Sequence, residues 1–383
     1  MVKIVMIDRY KNEQIEYIWS DKHKFFLWEQ ISMFYLNNIL KQKDHSYNFK
    51  YPHPLKIKDI YDLEKETKHE LVAFLVNLSN RLKHHKEPNL TKYLHYGLTS
   101  SDIIDTASSI QIKQSISFLT NCLLKLRQAL IEKIEFVQGI NTIARTHGKH
   151  AEVISLEDRF HNFLASIMEI NAELIRLESS MLGKLAGPVG KANHVNQTAA
   201  RLTLQRFRLR EAPVSTQVIP RRYYTDFMYT LTVLLKVYEQ FATNIRLLAI
   251  DEVNEFQEGF SEGQTGSSAM PHKNNPISSE NICGMSRLMQ RNLNAAIDNI
   301  PLWLERDISH SSVERVIWPE SFHIAIYSTE RITSLIENLA INKESIQNNI
   351  ERSPHVNSHE ELLNSNSRFD SYYAIQKKYH ENK

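Results

Sequence analysis

Between the breaks where glycines gather, and after Pro319, long stretches run without glycine or proline, at 98–138, 149–182, 221–258 and 320–353. Each is far longer than an ordinary strand, so each predicts a long helix. The apolar positions agree. Ile112, Ile116, Leu119, Leu123, Leu126, Leu130 and Ile134 recur at steps of three and four, as do Phe227, Leu231, Leu234, Tyr238, Phe241, Ile245 and Leu248. That spacing makes one apolar stripe per helix, and stripes of this length pack side by side as a bundle. Isolated coiled coils fit less well, because apolar residues also occur off the stripes. The expected fold is all-α, with 99–346 as a central long-helix bundle. Residues 1–98 carry shorter periodic runs and a Lys/His-rich stretch with Pro52 and Pro54, and read as a smaller N-terminal helical domain. Residues 347–383, rich in Ser, Asn and His, show little periodicity and read as a frayed, disordered remnant of a third domain.

The ten glycines all fall between Gly97 and Gly284, gathered at the breaks between these runs. The break at 183–193 follows no strand and lacks phosphate-loop spacing, so it predicts a turn. The break at 259–276 holds Gly259, Gly263 and Gly266 together with Ser267, Ser268, Lys273 and Asn275. Composition alone makes it a surface connection; its donors and hinge glycines also suit an active-site lid.

Charge narrows the function classes. The 383 residues carry 46 Lys+Arg against 44 Asp+Glu, so no global basic field draws nucleic acid, and only local clusters such as 81–86 remain. Cys122 and Cys283 alone make neither a disulfide framework nor a cysteine zinc site. No apolar run approaches the roughly 20 residues that span a bilayer, and the N-terminal apolar stretch is too short for a signal peptide. The expectation is a soluble cytoplasmic protein that binds neither membrane nor nucleic acid.

Four short stretches could carry chemistry. Glu66-Thr67-Lys68-His69 opens an apolar-periodic run. His95 to Asp102 offers hydroxyls and a carboxylate that cap the following helix, a role compatible with anion binding at the same helix end. Arg145-Thr146-His147-Gly148-Lys149-His150 holds two histidines three apart, better suited to acid–base work than to metal because no cysteine or carboxylate pattern completes a site. Glu305 to Arg315 sets two arginines among hydroxyls, which suits phosphate or carboxylates, or else a surface ion-pair network.

Together these stretches carry a resemblance. Gly-Ser-Ser-Ala-Met-Pro-His-Lys-Asn-Asn-Pro at 266–276 closely resembles the fumarase/aspartase superfamily signature. Arg9-Tyr10, Arg-Thr-His-Gly at 145–148 and Glu-Arg-Asp-Ile-Ser-His-Ser-Ser at 305–312 resemble its adenylosuccinate lyase family. His95 to Ser100 and Ala212 to Gln217 fit as well, and the likeness runs in order from about residue 6 to about 352. It implies a homotetramer with active sites assembled from three subunits, and β-elimination of fumarate from adenylosuccinate without metal or organic cofactor. By match to the family motifs, Ser267 is the base and His147 the acid, partnered by Glu280, while Lys273 and Asn275 stabilise the carbanion. A serine is a weak base, so loop amides and the helix N-terminus near Ile277 are expected to assist it. His69, Thr99, Ser100, Gln217 and Ser268 would meet the succinyl side, and Arg9, Tyr10, Arg306, Ser311 and Arg315 would hold the nucleotide. Lys68, Glu70 and Ser312 are expected among the substrate-binding residues as well.

The chain also departs from the family pattern. Asn274 replaces an arginine in the signature, and Lys68 stands where arginine is common. Arg221-Arg222-Tyr223-Tyr224 replaces Arg-Asp-Arg-His, and Val153-Ile154 replaces Pro-Thr. From Pro354 onward nothing resembles the family's C-terminal helical domain, which would weaken folding, assembly or activity. The competing readings are another superfamily lyase, such as one for argininosuccinate, and a non-catalytic paralogue that keeps the scaffold.

Overall fold

The computed structural model describes residues 6–43, 55–83, 88–259, 269–270 and 272–380. It begins with α1 (Glu13–Ile18), α2 (Asp21–Lys41), α3 (Ile57–Thr67), α4 (Glu70–Lys83), α5 (Pro88–Tyr93) and the long α6 (Ser100–Phe136). A hairpin of β1 (Asn141–Thr146) and β2 (Lys149–Ser155) leads to α7 (Leu156–Ser180), and β3 (Leu182–Gly183) leads to α8 (Gln197–Arg206). Then follow β4 (Arg210–Glu211), α9 (Arg222–Leu248), β5 (Phe256–Gln257), α10 (Ile277–Asp298) and α11 (Ser309–Glu337). β6 (Ala340–Ile341), α12 (Lys343–Glu351), α13 (Ser358–Leu363) and α14 (Arg368–His380) complete it. The fold is all-α, as the periodicity predicts, with strands confined to short two-stranded pairings. Among the described residues no helix is long and apolar enough to cross a membrane.

By contacts the chain separates into two compact units, each drawn from three stretches. Residues 1–123, 170–235 and 286–328 form the first; 124–169, 236–285 and 329–383 form the second. In the first unit Phe25, Trp28 and Phe74 pack edge and face, and Phe227 stacks on Phe322. In the second, Phe163 stacks on Phe241 with ring centroids 4.2 Å apart, flanked by Phe160 and Tyr238. Burial of each such ring is worth roughly 1.5–3 kcal/mol. The predicted stripes are core: Ile112 to Leu130 and Phe227 to Leu248 are buried throughout, and only Ile134 is partly exposed.

Three expected helices are shorter than their glycine-free runs. Residues 149–155 form β2 instead of the start of α7, because the β-branched residues Thr142, Ile143, Val153 and Ile154 pair across the hairpin. α9 stops at Leu248, and Asn254 adopts φ 48° in the turn before β5. The 320–353 run breaks between α11 and α12, where the Asn342 side chain accepts the Ser345 N–H and caps a new helix. α11 in turn starts ahead of Pro319 and continues through it. The tail is helical to His380, but neither α13 nor α14 buries a residue.

The first unit buries a neutral histidine. His323 is fully enclosed; its Nδ1 accepts the Asn12 N–H at 3.0 Å and its Nε2 has no partner among the described residues. Burial pulls its pKa from 6.5 down to about 4, and Lys11 adds to the effect. Above pH 6.5 the ring is neutral folded or unfolded, and its stabilisation is complete. As pH falls from 6.5 towards 4, the unfolded chain binds a proton that the folded chain refuses, and stability is lost. Between pH 7 and pH 5 this histidine should cost about 2 kcal/mol. Denaturant titrations at both pH values should show that loss shrinking in His323→Gln; an unchanged loss would remove His323 as its source.

Candidate active site

In the first unit His69, Thr99 and Ser100, three of the residues assigned to the succinyl side, lie at the start of α6. Thr99 precedes α6, and its N–H donates to Asp102 Oδ2 at 2.8 Å, so the carboxylate ties down the backbone that enters the helix. The same carboxylate, fully buried, also takes the Ala186 N–H at 2.9 Å, the Gly187 N–H at 3.0 Å and the ammonium of Lys184. The 183–193 break is therefore more than a turn: it delivers a buried lysine and two amides to the carboxylate that fixes Thr99. Gly97, at φ +74°, lies so close to His194 that a Cβ would sit 2.2 Å from its carbonyl oxygen, so only glycine lets these two loops touch.

His69 caps α4. Its Nδ1 accepts the Val72 N–H at 3.4 Å, which puts the ring proton on Nε2, 3.5 Å from Ser100 Oγ. Glu70 does not stand free for substrate: Lys24 holds it at 2.5 Å, and Arg315 lies 3.6 Å away. Lys68 is exposed in the left-handed region (φ 52°) at the end of α3. Arg9 and Tyr10 lie in a 3-10 turn, Asp8–Tyr10, with Tyr10 packed on Tyr327 and Arg9 exposed.

The entry to α11 is built around Asp307. It accepts the N–H groups of Trp303 and Ser309, each at 2.8 Å, and bonds led by the Ser309 hydroxyl hold its carboxyl down to about 2. Beside it Arg306 Nη1 donates to Gln217 Oε1 at 2.9 Å, while its buried Nε has no partner among the described residues. Among the described residues no carboxylate pairs with Arg306. Ser311 is half-buried, and Ser312 and Arg315 are exposed on the first turns of α11.

Behind this entry sits a buried ionic cluster. Arg221, 2 % exposed, reaches Asp105 with Nη2 and both oxygens of Glu314 with Nη1, at 3.0 and 3.2 Å. Burial opposes the charge on Arg221, but Asp105 and Glu314 outweigh it and keep its pKa raised. Burial pushes Glu314 up to about 8, against the pull of Arg221.

In the second unit His147 and Gly148 are the two loop residues of the β1–β2 hairpin, at φ 55° and 73°. Two consecutive positive-φ residues suit the twist of a two-residue hairpin, and histidine is among the residues that tolerate this region. The turn thereby holds His147 exposed at its tip, and the ring makes no hydrogen bond with any described residue. The strand behind it is anchored by Glu255, which is fully buried. Glu255 takes Arg145 at 2.6 Å, Asn349 at 3.0 Å and Thr142 at 3.3 Å, with Arg159 at 3.8 Å. A cavity of about 730 Å³ lies in the same unit, lined by Arg145, His150 and Arg159 and by the rings of Phe160, Phe163 and Phe241.

Glu280 is exposed on the first turn of α10 and makes no hydrogen bond to His147 within the chain. Lys273 and Asn274 are exposed, and Asn275 is half-buried. Ser267 and Ser268 lie outside the described residues, as does most of the expected lid. At the start of α10 the buried carboxylate of Glu258 takes the N–H groups of Ser278 and Ser279, at 2.9 and 2.8 Å.

Sequence reasoning missed Lys24, Lys184, Arg221, Glu255 and Glu258. No local pattern marks a charged residue whose partner lies tens of residues away. The near-signals were Lys184 inside a glycine-rich break and Glu258 at the edge of the signature.

A family model described as lyase matches residues 38–290. The adenylosuccinate lyase of Bacillus subtilis (strain 168) is 33% identical over 354 residues, covering 91% of this chain and 80% of that protein. That of Synechocystis sp. is 33% identical over 353 residues, covering 90% and 80%. A fumarate lyase from Mesorhizobium sp. BNC1 superposes with a TM-score of 0.81 at 16% identity, covering 98% of this chain and 89% of that one. The 3-carboxy-cis,cis-muconate lactonizing enzyme from Pseudomonas putida gives 0.81 at 16% identity over 96% and 85%. At such identities these structures speak for the fold alone.

Proposed function

Because the chain belongs to the fumarase/aspartase superfamily of lyases and to its adenylosuccinate lyase family, we propose that it eliminates fumarate from adenylosuccinate and releases AMP. It acts in the same way on the succinylated aminoimidazole carboxamide ribotide. The observation that carries this reading is the entry to α11, where Arg306 has its guanidinium oriented by Gln217 but no carboxylate partner among the described residues. A guanidinium prepared in this way awaits an anion, and the substrate brings a phosphate and two carboxylates.

In this reading Ser267 removes the proton from the carbon next to a succinyl carboxylate. His147 donates a proton to the nitrogen as the carbon–nitrogen bond breaks. Negative charge develops on the carboxylate between the two steps, and Lys273 and Asn275 stabilise it. His69, with its Nε2–H fixed by the cap on α4, and Thr99, Ser100, Gln217 and Ser268 hold the succinyl group. Arg9, Tyr10, Arg306, Ser311, Ser312 and Arg315 hold the nucleotide. Lys68 and Glu70 act at the rim, Glu70 by steadying Arg315. Glu280 orients His147 in the assembled oligomer.

We assign the protein to a cytoplasmic homotetramer with shared sites. Apolar side chains exposed along the long helices, among them Met168, Ile175, Tyr229 and Leu247, support burial against further copies. Purified protein given adenylosuccinate should produce AMP and fumarate in equal amounts, measured by absorbance beside a mass measurement in solution. Cleavage of argininosuccinate in its place would make it a different superfamily lyase, and AMP binding without turnover at any pH would make it a non-catalytic paralogue.

A further inference from the structure

We infer that Arg221 is a positioning residue for the substrate-binding groups of the site, because its one buried guanidinium ties together three chain segments that each carry a proposed substrate contact. The identity of those contacts rests on the proposed function. Nη2 donates to Asp105, which lies five residues beyond Ser100 on α6. Nη1 donates to both oxygens of Glu314, the residue before Arg315 on α11. Nε donates to the carbonyl of Ile219 at 2.9 Å, two residues after Gln217, and the Ile219 N–H returns to Asp105 Oδ2 at 2.9 Å. Tyr224, where the family carries histidine, closes the cluster. Its ring lies 4.7 Å from the guanidinium carbon and its hydroxyl pairs with Ser109 at 3.0 Å.

A planar fork with its donors spent on three segments fixes their spacing as well as their contact. α6 and α11 are rigid, so a shift at Asp105 or Glu314 is carried to Ser100 and Arg315. A misplacement of about 1 Å is enough to weaken a preorganised site. None of the three segments bears the proposed base Ser267 or the proposed acid His147, and His147 belongs to the second unit. Loss of the fork should therefore weaken substrate binding and leave the chemical step nearly intact.

The test compares wild type, Arg221→Lys and Glu314→Gln by calorimetric titration with AMP, by KM and kcat for adenylosuccinate, and by melting temperature. Arg221→Lys keeps the charge but not the fork, and should show roughly tenfold weaker AMP binding and a similar rise in KM, with kcat within about threefold. Glu314→Gln, which keeps the shape, should show the same split to a smaller degree, and decides the matter if Arg221→Lys does not fold. Variants that melt earlier but keep wild-type AMP affinity and KM overturn the inference, as do variants that lose kcat alone. A wild type that binds AMP without cleaving adenylosuccinate refutes the lyase reading, and the variants' AMP affinities then decide the role of Arg221 alone. A wild type that neither binds nor cleaves overturns both.

Discussion

Replacing His147 by asparagine is expected to lower kcat for adenylosuccinate by roughly 10²–10⁴-fold, the range that a positioned general acid contributes. Asparagine is the informative choice. His147 sits at φ 55° in a two-residue hairpin turn ahead of Gly148, and Asn-Gly is the pair that such turns favour most. The variant therefore keeps or improves the turn while removing the titrating ring. His147→Ala loses the ring and also meets a backbone conformation that alanine resists, so its fold and its chemistry would change together. The side chain is exposed and makes no hydrogen bond with the described residues, so the melting temperature of His147→Asn should match that of wild type. Steady-state kinetics beside thermal melts check both halves. Full activity in a normally folded His147→Asn would take the acid role from this residue. Ser267→Ala belongs in the same series, with a loss of similar order expected if that hydroxyl is the base.

The largest effect on stability is expected at Asp102. Its carboxylate is fully buried and takes three backbone N–H groups besides the Lys184 ammonium, which is itself only 1 % exposed. Asp102→Ala leaves a buried cation without a partner and three amides without acceptors, and should cost at least the 3–5 kcal/mol that follows breaking a buried ion pair, by order of magnitude about 4. Asp102→Asn keeps one oxygen acceptor but no charge, and should fall between Asp102→Ala and wild type. Lys184→Met should cost least, because the carboxylate keeps its three amide donors. Denaturant titration of the three variants reads the order directly. A Lys184→Met variant less stable than Asp102→Ala would show that the amides, rather than the lysine, are the weaker partners. Because Asp102 fixes the Thr99 N–H, any of these variants that still folds should also show a raised KM.

Much of the fold was legible in the sequence. Glycine-free runs with apolar residues at steps of three and four predict long helices, and α6 and α9 bury those positions. A helix buries one stripe whatever it packs against, so periodicity alone determines which side chains become core. The ends of the runs were less legible, because absence of glycine permits a helix without requiring one. The β-branched residues that flank His147 and Gly148 took the hairpin instead.

The candidate site divides along the same line. The sequence motifs mark Thr99, Ser100, His147, Gln217, Arg306 and Arg315 one at a time. They do not show that Gln217 orients Arg306, that Lys24 occupies Glu70, or that Glu258 takes amides at the start of α10. Those relations depend on which distant segments meet, and a charge in a sequence looks the same whether it ends exposed or buried. The 259–276 stretch illustrates the limit from the other side. Its signature marked the family from residue identity alone, while its flanking Glu258 acquired a role only when the chain brought it onto α10. Periodicity and motif are local and survive in one dimension; the pairing of buried charges is a property of the packed molecule.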